Sequence, residues 1–148
     1  APLAIIEKRR TDNDDRAELL NVIGEVRGKR AIIVDDEIDT AGTLMQITHA
    51  LEREGVTEMY ACATHAVLSD PALERIAGSS LLEVVVTDTI PLPHDRDLGR
   101  IRQLSVAPLI GEAIRRIHRG ESVGALFSSE IGLVQQMAVW SDEPPEPA

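Results

Sequence analysis

Two adjacent carboxylates, Asp35 and Asp36, stand two residues before the run Asp39-Thr40-Ala41-Gly42-Thr43, and together they are the groups of this chain with the clearest chemistry. Carboxylates accept hydrogen bonds from vicinal hydroxyls. The small and hydroxyl-bearing residues that follow let backbone N–H groups crowd around an anion, and Thr43 opens a helix whose N-terminus carries partial positive charge. Acids beside an anion cradle conflict for a bare phosphate. They agree for a ligand with hydroxyls at one end and a dianion at the other, which is a sugar phosphate. A loop that merely caps a helix uses some of the same residue types, but it does not require all of them in one uninterrupted run. No GxxxxGK[ST] run occurs, so this is not a Walker-type loop.

The elements that position these groups follow from apolar spacing. Ile32-Ile33-Val34 suits a strand over Arg30 to Val34 that is covered on both faces, with the carboxylates emerging at its carboxyl edge. Ligands of open α/β sheets bind at that edge. Leu44, Ile47 and Leu51 are spaced for an amphipathic helix over Thr43 to Arg53, closed by Gly55. Further strands are expected over Leu3 to Ile6, Leu19 to Val26, Met59 to Thr64, Leu81 to Thr87 and, more weakly, Ile101 to Val106. Helices are expected after Pro71 through Ile76 and over Val106 to His118, where Leu109, Ala113, Ile114 and Ile117 share a face. Glu7 to Arg16 has no apolar anchors and reads as a mobile loop. Strands alternating with helices imply an α/β fold with a mostly parallel twisted sheet flanked by helices.

Composition narrows the function. At 148 residues, 43% of them hydrophobic, the chain holds one core and not two. A net charge of −10 argues against nucleic acid as a partner, and single Trp, Tyr and Phe residues leave little aromatic surface for stacking bases. One cysteine, Cys62, excludes an intramolecular disulfide framework, and its apolar surroundings suggest a buried thiol in a reducing compartment. No apolar run approaches a membrane span and no complete signal-peptide pattern opens the chain. The expected location is therefore cytoplasmic, with no membrane partner. A strand beginning almost at residue one reads as a piece of something longer, and Ser141 to Ala148 is an acidic, proline-rich tail expected to be disordered.

The run Val34 to Thr43, VDDEIDTAGT, resembles the phosphoribosyl-diphosphate signature shared by type I phosphoribosyltransferases and ribose-phosphate pyrophosphokinases. Three further segments are similar to the pyrophosphokinases in particular. Ala4 to Arg10 resembles the stretch leading into their flexible catalytic loop, where Glu7 stands in place of the usual Asp. Ala63 to Ala72 resembles the next loop, in which Ala66 and Asp70 replace common glycines, and Ser122 to Phe127 resembles the usual C-terminal ending.

The resemblance implies a type I phosphoribosyltransferase-like domain over residues 1–127, equivalent to the C-terminal half of a two-domain enzyme, followed by an extension over 128–148. Apolar residues between Gly132 and Trp140 lie in that extension. It implies that Asp35 and Asp36 face the ribose 2- and 3-hydroxyls while Asp39, Thr40, Ala41, Gly42 and Thr43 wrap the 5-phosphate. Lys8 and Arg10 match catalytic basic residues that close over ATP phosphates, with Arg9 standing between them. The implied reaction is pyrophosphoryl transfer from Mg2+-ATP to the 1-hydroxyl of ribose 5-phosphate, giving phosphoribosyl diphosphate and AMP. Mg2+ is the implied cofactor, its ligands unspecified, ribose 5-phosphate and ATP are the small-molecule partners, and the family assembles as a homo-oligomer, a hexamer. Two alternatives stay open: a small phosphoribosyltransferase that consumes phosphoribosyl diphosphate, for which no hood segment is visible, and a non-catalytic regulatory homologue.

The histidines add little. His65 follows a strand and is read as a structural hydrogen-bonding group in preference to a proton shuttle. His49, His94 and His118 lack partners at metal-ligand spacing, so no zinc site is expected.

Overall fold

A computed structural model describes residues 1–10, 18–92, 98–124 and 126, with backbone alone for 8–10 and 18–20. It divides into two compact units, residues 1–104 and 105–148. In the first, β1 (Ile5–Arg10) and β2 (Glu18–Ile23) form an antiparallel two-stranded ribbon. Strands β3 (Arg30–Ile38), β4 (Glu58–Ala66), β5 (Leu81–Thr87) and β6 (Ile101–Leu104) form a parallel sheet in that order. Helix α1 (Gly42–Arg53) connects β3 to β4, and α2 (Ala72–Ala77) connects β4 to β5. The α/β reading of the sequence holds.

Parallel strands require crossover connections, and α1 and α2 return the chain across one face of the sheet. That face is the core. Ile33, Ala61, Val84 and Val86 meet Leu44 and Leu51 of α1 and Ile76 of α2. Thr48, the buried polar side chain of α1, donates its hydroxyl to the Leu44 carbonyl at 2.8 Å, so its burial leaves no unsatisfied group. Helix α1 ends where Gly55 takes a φ of 82°, a conformation glycine reaches without a Cβ penalty.

Four sequence expectations change. Strand β3 runs through Ile38, so Asp35 and Asp36 lie within its last turns of pleat and not beyond its end. The run Ile32 to Val34 is packed on one face only: Ile33 is 7% exposed, while Ile32 and Val34 are 71% and 76% exposed. A continuous apolar run signals two covered faces by composition, but side chains alternate along a strand and the elements of this unit pack on one side. Residues Glu7 to Arg10 belong to β1 and not to a loop, because their backbone pairs with Glu18 to Asn21. Ile6 and Val22 rest against the core, and from Glu7 onward the strand is defined by its ladder to β2. The Cys62 thiol is half-buried, since it falls on the row of the open face.

In the second unit, α3 (Ala107–Arg119) carries proline in its first turn and ends at Gly120 in the left-handed conformation, φ 70°. The apolar face expected from its spacing exists, but none of its residues is buried, and Ile110, Ile114 and Ile117 are exposed. Glu112 accepts hydrogen bonds from Arg115 at 2.6 Å and Arg116 at 2.7 Å. These two guanidinium groups, Arg115 first, hold its carboxyl down to about 2. Among the described residues, no helix is long and apolar enough to cross a membrane. The extension from 128 onward, including Gly132 to Trp140 and the tail, lies outside the described residues.

Candidate functional site

The carboxyl end of β3 and the first turn of α1 border an open cavity of about 370 Å³ lined by residues 35–44. Every sequence-predicted member of the sugar-phosphate set, Asp35, Asp36, Asp39, Thr40, Ala41, Gly42 and Thr43, is on its wall. Among the described residues one contiguous stretch lines the cavity, because strand, turn and helix follow within ten residues. The cavity therefore depends on the turn.

That turn is made at Ala41, which is 5% exposed and holds the left-handed conformation with φ 58°. A non-glycine residue there is uncommon and carries strain of about 1–2 kcal/mol. Burial of its methyl group on the core and the Met45 N–H bond to its carbonyl at 3.0 Å hold it in place. Among the described residues, the N–H groups of Ala41, Gly42 and Thr43 meet no intramolecular acceptor, as befits a helix start, and no side chain caps α1. Free donors beside small side chains are what an anion requires.

The hydroxyl-binding end is acidic. Asp35 Oδ1 accepts the Asp36 N–H at 3.0 Å, and Asp36 Oδ1 accepts the Glu37 N–H at 3.0 Å, so each carboxylate has one oxygen oriented by backbone. Asp35 is pushed above its ordinary value, chiefly by burial and further by the Asp36 carboxylate, against the lowering effect of the Asp36 N–H. Asp35, Asp36, Glu37 and Asp39 all line the cavity, and among the described residues no lysine, arginine or histidine does.

Cationic help comes from a distance in sequence. Arg75 of α2 donates from Nη1 to the Thr40 carbonyl at 2.8 Å, tying the second helix to the turn. Nothing in the spacing of the chain pointed to this residue, because 35 positions separate the partners. His65 stands at the end of β4, in register with Glu37 of β3. Its Nδ1 lies 2.9 Å from Thr89 Oγ1, which donates in turn to the Thr64 carbonyl at 2.9 Å. That network suits the structural role read from the sequence. Lys8 and Arg10 occupy β1, and their side chains lie outside the described residues. No group of three or more metal-binding side chains occurs among the described residues.

Comparison with known proteins places this geometry in context. The family model described as phosphoribosyl synthetase-associated domain matches residues 11–128. The ribose-phosphate pyrophosphokinase of Caldanaerobacter subterraneus subsp. tengcongensis is 59% identical over 128 residues, which are 86% of this chain and 40% of that protein. The protein of the same name from Gloeobacter violaceus is 54% identical over 127 residues, 86% of this chain and 38% of its own. The crystal structure of phosphoribosylpyrophosphate synthetase from Mycobacterium smegmatis superposes with a TM-score of 0.70 at 39% identity, covering 80% of this chain and 37% of that one. The chain spans about two fifths of the length of the curated relatives it matches.

Proposed function

The chain belongs to the phosphoribosyl synthetase-associated domain family, and from that premise we propose that it is the ribose 5-phosphate-binding, catalytic half of a ribose-phosphate pyrophosphokinase, a transferase of nucleotide biosynthesis. The observation that carries the reading is the cavity itself. One stretch, residues 35–44, supplies oriented carboxylates at one end and free N–H donors at the other. A ligand with vicinal hydroxyls and a phosphate matches both ends.

In this reading Asp35 and Asp36 accept the ribose 2- and 3-hydroxyls, and the 39–43 turn wraps the 5-phosphate. The sugar is thereby held with its 1-hydroxyl free to attack the β-phosphorus of ATP. The new bond joins the hydroxyl oxygen to that phosphorus, the bond to the AMP oxygen breaks, and the hydroxyl proton is released. Such a transfer is accelerated mainly by positioning and by cations around the shifting phosphate charge. Lys8 and Arg10 supply those cations from β1.

The donor set at the cavity suits Mg2+, a hard cation that binds through one or two carboxylates plus phosphate and water. Asp35 and Asp36 are the carboxylates that would hold it. When bound, Mg2+ neutralises charge on the ATP phosphates.

The reading extends to a cytoplasmic protein that works as part of a homo-oligomer. A chain spanning two fifths of its relatives is expected to bind the sugar phosphate and to turn over poorly alone. Calorimetric titration with ribose 5-phosphate, with and without Mg2+-ATP, tests this. Saturable binding that is lost in both Asp36→Ala and Thr43→Ala supports the site, whereas equal binding by the variants refutes it.

A further inference from the structure

Among the described residues the cavity wall carries no cation, and Arg75 of α2 brings one to the turn behind it. Its Nη1 holds the Thr40 carbonyl at 2.8 Å and lies 3.6 Å from where a Cβ on Gly42 would stand, so the guanidinium rests against the backbone of the turn. Among the described residues it has no carboxylate partner, although four carboxylates line the cavity nearby. Its charge therefore serves the peptide and not an ion pair.

The Thr40–Ala41 bond is trans. In a planar trans peptide the carbonyl and the following N–H point in opposite directions. By drawing the Thr40 oxygen to itself, Arg75 turns the Ala41 N–H the other way. A cationic donor on the carbonyl also polarises the peptide and strengthens that N–H as a donor. The guanidinium fork suits this task, since its donors are rigid and it stays charged.

Resting on the sugar-phosphate reading of the cavity, we infer that Arg75 is a positioning residue for the phosphate arm: it fixes the Thr40–Ala41 peptide with the Ala41 N–H presented to the anion, and it sets the preference for phosphorylated over unphosphorylated sugar. An arginine that only fastened α2 to the turn would raise stability without choosing between ligands.

The test titrates the 148-residue chain and its Arg75→Gln and Arg75→Lys variants with ribose 5-phosphate and with ribose. Calorimetry reads the affinities, and amide NMR reads Ala41. The loss of one charge-assisted hydrogen bond predicts ribose 5-phosphate binding about tenfold weaker in Arg75→Gln. Ribose affinity is expected to stay unchanged, and Arg75→Lys, which keeps the charge and one donor, to recover most of the loss. In the native chain the Ala41 amide is expected to shift on adding ribose 5-phosphate and not on adding ribose.

Equal ribose 5-phosphate affinity in Arg75→Gln, equal weakening for both ligands, or an Ala41 amide that does not respond would overturn the inference while leaving the sugar-phosphate reading intact. Absence of ribose 5-phosphate binding by the native chain would overturn that reading and the inference with it.

Discussion

Replacing Ala41 by valine probes whether the turn is held by its unusual backbone conformation. At φ 58° a β-branched side chain is an outlier, because its two γ carbons crowd the local backbone. That strain adds about 1 kcal/mol to what alanine already carries. The site is 5% exposed, so the added methyl groups must also displace core neighbours, at about 1–3 kcal/mol. The sum, about 2–4 kcal/mol, corresponds to a fall in melting temperature of roughly 10 °C for a chain of this size.

Ala41→Gly separates conformation from packing. Relief of about 1 kcal/mol in the left-handed region is offset by about 0.8 kcal/mol for the lost methyl and by the greater freedom of glycine when unfolded. Its stability should fall within about 1 kcal/mol of the native chain. Its ribose 5-phosphate affinity should still drop severalfold, because the turn is no longer restricted to one shape. Thermal melts followed by circular dichroism, paired with calorimetric titration, read both quantities. If Ala41→Val melts like the native chain and binds equally well, the conformational argument for the turn is wrong.

The titrating groups give two more expectations. Asp35 has its proton affinity raised by folding, so its ionised form costs stability above the raised value, and that cost disappears once the pH is below the ordinary 3.8. Asp35→Asn should therefore melt higher than the native chain at pH 7, converge with it near pH 3, and bind ribose 5-phosphate more weakly; a pH-independent difference in melting would contradict the burial argument. Glu112 has the opposite sign. Its carboxyl is lowered from 4.5 to about 2, so its contribution is fully present above 4.5 and is lost as pH falls through about 2. A side-chain carbon NMR titration should show that low midpoint, and Arg115→Gln should move it upward; a midpoint near 4.5 in the native chain would show that the ion pairs do not persist in solution.

How much of this was legible in the sequence depends on locality. The cavity was, because residues 35–44 are contiguous and each type reports directly on strand, turn or helix start. The parallel sheet was too, since β-branched runs alternate with helical spacing. The β1–β2 ribbon was half-seen: Leu19 to Val26 has a strand pattern, but Glu7 to Arg10 has no apolar signal and is defined by its ladder to β2. The exposure of Ile32 and Val34 was misjudged because composition tells what a strand tolerates and not which faces are covered. Arg75 was invisible for a different reason. Its partner is a backbone carbonyl 35 positions away, and a carbonyl has no residue type to recognise.

The open face of the sheet bears on how copies of this chain behave toward one another. Ile32, Val34 and Leu104 project from the same side as Tyr60, Cys62 and Val85, an apolar band flanked on that face by the Arg30–Glu58 and Arg102–Glu83 ion pairs, and water would drive two such bands together. Opposing it is a net charge of −10, which makes two approaching copies repel before their planes can meet. The repulsion has a reach set by dissolved ions, about 10 Å at 0.1 M and about 3 Å at 1 M, whereas the apolar attraction does not shrink with salt. Colloidal behaviour is thus a balance with a dial on it: dilute buffer keeps the molecules apart, and concentrated salt hands control to the bare sheet.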